Sequence, residues 1–170
     1  MKHNLWLILL TFLLLLVQII IDNYLNISIY LNIAILPFII LMLPYKTKTA
    51  WAMIIAFLLG LIADLAGNGI IGMCSAALTL AALCRRWILN ISVNKDILNN
   101  EEYPTPDTLR LPNFILYSAC FYTIYLLCYI LLDNAGFSNF GLIALRFIIS
   151  LAINVLLATL LFITTKKRKQ

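Results

Sequence analysis

Residues 50–89 read AWAMIIAFLLGLIADLAGNGIIGMCSAALTLAALCRRWIL, a forty-residue apolar run with one acid, Asp64, and a cluster of glycines at its middle. A single bilayer crossing needs about 20 apolar residues. The run is therefore read as two crossings, 50–66 and 70–89, joined by a tight turn at Gly67-Asn68-Gly69. An acid within or at the edge of a lipid-spanning helix is costly and marks a functional position by default. Ala52, Ala56, Gly60 and Asp64 recur every four residues and so share one face of the first helix. Gly72, Ala76 and Thr79 give the second helix a similar face. Small residues let helix backbones approach closely in lipid, where packing takes the place of the hydrophobic effect. The expectation is a tight helical hairpin with Asp64 near its outer mouth, beside the turn.

The remainder of the chain belongs to the same class. Hydrophobic residues make up 64% of the 170 and charged residues 11%, and the mean hydropathy is +1.01. A soluble domain is nearer half apolar and a quarter charged. The fold class expected is an all-α integral membrane protein, one membrane domain over residues 1–170. Besides the hairpin, four segments read as crossings: 5–21, 27–43 (containing Pro37), 113–132 and 141–164. Asp22-Asn23-Tyr24 follows the first segment in place of a small-residue cleavage site, which reads as an uncleaved signal anchor. No two-residue alternation is sustained, which excludes a membrane β-barrel.

The charges orient these six segments. Lys2, then Lys46 and Lys48, then Arg85, Arg86, Lys95 and Arg110, then Lys166, Lys167, Arg168 and Lys169 fall on alternate connections; only Arg146, of the twelve basic residues, falls elsewhere. The other connections carry Asp22, Asp133 and, nearby, Asp64. The positive-inside rule then places both termini in the cytoplasm. Trp6, Trp51 and Trp87 lie near the same predicted interface, as an aromatic belt would. A net charge of +5 distributed in this way sets topology and forms no basic face for nucleic acid. The long connection, 90–112, is cytoplasmic in this reading; its first half is either an interfacial helix with Ile91, Val93, Ile97 and Leu98 toward lipid or a solvated loop.

Segment 141–164 carries a polar stripe, Arg146, Ser150 and Asn154, each four apart, which must face the bundle or a partner. Asp64 is the natural counter-charge for Arg146, and Asp133 is the other candidate; two separately solvated charges are the plain alternative. In 113–132, Tyr117 and Tyr129 are placed as interfacial anchors and Tyr122 and Tyr125 as bundle contacts. Cys74, Cys84, Cys120 and Cys128 form no C-x-x-C pair and read as reduced, buried small hydrophobes, so no disulfide, metal site or cofactor is assigned. No catalytic constellation is present in the sequence, and a non-enzymatic role is expected.

The pattern Gly60-x-x-x-Asp64-x-x-x-x-x-x-x-Gly72, followed by a helix rich in small residues, resembles the rod shape-determining MreD family, as does the proline-led second segment at Leu36-Pro37-Phe38. The resemblance implies a scaffold of the bacterial elongation machinery in the cytoplasmic membrane. Its partners would be MreC, the peptidoglycan polymerase RodA with its transpeptidase, and, indirectly, the actin-like MreB filament. The residues singled out for structure or interaction are Pro37, Gly60, Asp64, Gly72 and Arg146. A different class shares the small, basic, six-crossing character: the substrate-binding S component of an energy-coupling-factor vitamin transporter. In that case Asp64 and Arg146 would line a pocket for a small charged ligand, and Ala52 and Ala56 would match a docking pattern.

Overall fold

The computed structural model describes residues 2–24, 32–67, 70–93, 104, 109–133 and 140–167. Among them there are six helices: α1 Lys2–Tyr24, α2 Leu36–Leu41, α3 Thr49–Ala66, α4 Met73–Ser92, α5 Leu111–Asp133 and α6 Phe140–Lys167. No strand occurs among the described residues. Three of the helices are long and apolar enough to cross a membrane: α3, α5, and α6 over Gly141–Thr164; a shorter apolar helix covers Thr11–Ile21. Only 22% of the apolar window of α6 and 28% of that of α3 are buried within the protein. Leu145, Ile148, Leu156 and Leu160 of α6 and Trp51, Phe57, Leu58 and Leu65 of α3 all point outward. Surface of this kind is stable only against lipid or another apolar partner. The chain is an all-helical membrane protein.

The hairpin forms as its sequence dictates. The small face of α3, with Ala52, Ala56, Gly60 and Ala63 buried, packs along α4, and α3 with α4 is the most extensive helix pair. At Gly60 the two backbones nearly touch: a Cβ built there would lie 2.4 Å from the Ser75 Cα. The face that α4 buries carries Ala77, Ala81 and Ala82; Ala76, expected on it, is exposed. The turn residues Asn68 and Gly69 lie outside the described residues. The described chain resumes at Ile70, and Gly72, whose φ of +102° suits a residue without a Cβ, caps the start of α4.

The second apolar segment departs from expectation. A continuous crossing over 27–43 is replaced, in its described part, by non-helical backbone at 32–35 and the six-residue α2. Pro37 lies in the first turn of α2. A proline ring clashes with the carbonyl four residues back and lacks an N–H, so a helix begins at proline far more readily than it runs through it. The carbonyl four residues back is that of Ile33, which here takes a hydrogen bond from the side-chain amide of Gln18. All six residues of α2 are buried, and α2 touches α1, α3, α4 and α5.

Helix α5 packs on α4 and α6. Tyr122 and Tyr125 are buried bundle contacts, as the sequence suggests, but Tyr117 is also fully buried and is no interfacial anchor. Phe114, near the start of α5, stacks on Phe162, near the end of α6, with ring centroids 3.8 Å apart, which fixes the two helices antiparallel. Trp51 and Trp87 are exposed at the end of the bundle that carries Lys46, Lys48, Arg85, Arg86 and Arg110. The side chain of Trp6 lies outside the description. Of the proposed interfacial helix only its first residues are described: Ile91 is exposed and Val93 buried, so the two do not share a lipid-facing side.

Candidate functional site

Three polar constructions lie within this apolar bundle. The first is at the hairpin mouth. Asp64, in the last turn of α3, is 7% exposed, and its carboxylate closes the start of α4. Oδ2 accepts from the backbone N–H groups of Gly72 (3.0 Å) and Ser75 (3.1 Å), and Oδ1 from that of Cys74 (3.0 Å). The first N–H groups of a helix have no partner within it, and they carry the positive end of the helix dipole. A carboxylate on a neighbouring helix satisfies both needs. Gly60 is one turn back on the same face, and its missing side chain lets the start of α4 come close enough for these bonds. Gly72 supplies one of the three donors.

This geometry corrects the pairing of Asp64 with Arg146. Arg146 forms its ion pair with Asp133, Nη1 to Oδ2 at 2.5 Å, across the connection between α5 and α6. It is the one ion pair among the described residues. By similar depth the sequence favours Asp64 as the counter-charge over Asp133; the backbone donors of α4, eight to eleven residues past Asp64, take up its carboxylate and leave Arg146 to Asp133.

The second construction holds residues 32–35, the non-helical lead into α2. Asn154 of α6 is fully buried; its Oδ1 accepts from the Ala34 N–H at 2.8 Å and its Nδ2 donates to the Asn32 carbonyl at 2.7 Å. Ser150, one turn earlier, accepts from the Asn32 N–H at 3.0 Å. Gln18 of α1 accepts from the Ile35 N–H at 2.7 Å and donates to the Ile33 carbonyl at 3.2 Å. Tyr122 of α5 donates to the Ala34 carbonyl at 3.1 Å. Irregular backbone is tolerated at membrane depth only where protein satisfies its polar groups, and four side chains from three helices do that here. The inward-facing stripe of α6 was legible in the sequence for Ser150 and Asn154. Gln18 was missed; a single amide inside an otherwise apolar helix was the available signal.

The third construction lies beyond the other end of α2. Arg85 of α4 is 3% exposed and donates to the Leu43 carbonyl at 2.5 Å, to the Pro44 carbonyl at 3.4 Å and to the Tyr117 hydroxyl at 3.1 Å. Tyr117 passes the contact on to the Leu41 carbonyl at 3.4 Å. The last carbonyls of a helix lack partners, and a cation beside them is favourable. By sequence alone Arg85 reads, with its neighbour Arg86, as a topology charge. The spacing Ala77, Ala81, Arg85 places it instead on the buried face.

Searches against protein-family models, curated proteins and solved structures find no match to this chain.

Proposed function

We propose that the protein is a non-enzymatic membrane scaffold of the bacterial elongation machinery, similar in role to MreD, that helps place peptidoglycan synthesis along the cell. In this reading all six segments cross or enter the cytoplasmic membrane and both termini are cytoplasmic. The proposed partners are MreC, RodA with its transpeptidase and, through them, MreB.

The observation that carries the proposal is the hairpin. Its three motif residues, Gly60, Asp64 and Gly72, act as one unit, in which a glycine contact brings α4 close and an acid caps it through a glycine N–H. That is work of shape, and it gives the family resemblance a physical content. The two charges on which a ligand site or a proton path would draw, Asp64 and Arg146, are both engaged within the protein. Its apolar outer faces are suited to neighbouring membrane helices as well as to lipid.

The test is affinity purification of the tagged protein from mildly solubilised membranes, with mass spectrometry of what accompanies it. Recovery of MreC and the wall polymerase, lost in Asp64→Leu, is the expected result. Recovery of a transmembrane coupling subunit with two ATPases would overturn the proposal in favour of the transporter class.

A further inference from the structure

An open groove of about 500 Å³ runs between α3 and α4, lined by Met53 and Phe57 on one side and by Ala76, Thr79, Leu80 and Leu83 on the other. The hydroxyls within it are turned back on the helix: Ser75 Oγ donates to the Gly72 carbonyl and Thr79 Oγ1 to the Ser75 carbonyl. What remains facing outward is apolar. One end of the groove runs toward exposed basic side chains. Arg86 and Trp87 follow Leu83 by three and four residues and so continue the same face of α4. Both are exposed, Trp87 at 67%. No carboxylate among the described residues pairs with Arg86. Lys46 and Lys48, in the turn into α3, are exposed at the same end of the bundle.

We infer that this groove is a binding site for an anionic phospholipid, with an acyl chain along α3 and α4 and the phosphate against Arg86. The site has an apolar trough suited to a lipid chain, with an exposed guanidinium and, next to it, an exposed indole toward one end. Arginine forks onto phosphate oxygens bidentately, and tryptophan settles at the membrane interface. Basic pockets at helix ends on one side of a membrane protein select anionic headgroups on these grounds. A transmembrane helix laid in the same trough would have to bring an acid of its own to Arg86, whereas the lipid carries its charge at the required depth. The inference concerns a face of the hairpin that the capping of α4 by Asp64 leaves unused, and it does not depend on the scaffold role.

The experiment reconstitutes the full-length protein, with Trp6→Phe and Trp51→Phe so that Trp87 alone reports, in bilayers containing brominated phosphatidylglycerol or brominated phosphatidylcholine. Quenching of Trp87 should show a preference for the anionic lipid of about five-fold, the factor one basic residue contributes at a charged surface. Arg86→Gln should bring the preference close to parity, and Ala76→Phe, which fills the trough, should reduce it. Arg110→Gln, an exposed charge at the same end but off this face, should leave it in place. Equal quenching by both lipids in the parent, or a preference that Arg86→Gln leaves intact, overturns the site. So does an equal loss in Arg86→Gln and Arg110→Gln, which would show only general surface charge. If Ala76→Phe leaves the lipid preference unchanged but releases a co-purifying membrane protein, the groove docks a helix and the lipid assignment falls.

Discussion

Two single positions of the hairpin, and one ion pair outside it, each make a separable prediction. Gly60→Ala places a methyl group 2.4 Å from the Ser75 Cα, and the obstacle is backbone, which cannot swing aside. Overpacking of this kind costs about 1–3 kcal/mol, to be read as a lower thermal midpoint of the purified protein. Asp64→Ala removes the acceptor for three N–H groups, and loss of a helix cap costs about 2 kcal/mol at the upper end of its range. Asp64→Asn keeps one acceptor oxygen and should fall between the parent and Asp64→Ala in the same melting assay. An Asp64→Asn variant as stable as the parent would show that neither the charge nor the second acceptor oxygen matters to the cap. The Arg146–Asp133 pair is partly exposed, with side-chain exposures of 16% and 33%. Its loss should cost at most about 1 kcal/mol. The reversed pair, Arg146→Asp with Asp133→Arg, should recover part of what either single change loses. Recovery by an Asp64→Arg, Arg146→Glu swap instead would restore the pairing that the structure replaces.

At the scale of elements, α2 is the informative one. Asn154→Leu leaves the Ala34 N–H and the Asn32 carbonyl without partners at membrane depth, at roughly 1–3 kcal/mol for each stranded group. The expected result is a lowered thermal midpoint of the purified protein relative to the parent. Equal stability of Asn154→Leu and the parent would remove the clamp as a structural element. The same element shows where sequence reading stops. The α3–α4 hairpin was legible because its signals are local: small residues four apart on one helix and glycines at one turn. The boundaries expected there, 50–66 and 70–89, differ from Thr49–Ala66 and Met73–Ser92 by no more than three residues. Residues 27–43 are just as apolar, so composition suggested another crossing. What shapes their described part is a set of side chains from 14 residues before Asn32 to 122 residues after it, and no local pattern encodes those partners. Pro37, which carries part of the family resemblance, is the local half of the explanation, because a helix running through it would set its ring against the Ile33 carbonyl. The site was legible in the same proportion. Gly60, Asp64 and Gly72 were found, but the partner of Asp64 was not, because the sequence weighs charge against charge and does not show backbone donors.

For the whole molecule, the apolar exterior and the polar interior exchange the roles they hold in a soluble protein. The exposed leucines and isoleucines of α3, α5 and α6 face outward, while Gln18, Asp64, Arg85, Ser150 and Asn154 lie inside. The proposed topology is checked by labelling single introduced cysteines in intact cells with a membrane-impermeant reagent. Positions 96 and 168 should be protected and position 68 labelled; labelling at 96 or 168 would reverse the orientation. The clamp on α2 also imposes an order in time. Asn32 leaves the ribosome 122 residues before Asn154, which holds its carbonyl. At synthesis rates of about 5–20 residues per second the interval is roughly 6–24 s. Throughout it the segment has its own polar backbone and an incomplete set of partners, so its final form must be among the last parts of the protein to be made. A nascent chain arrested before α6 would then expose it, and this is the stage at which an insertase or chaperone would be needed most.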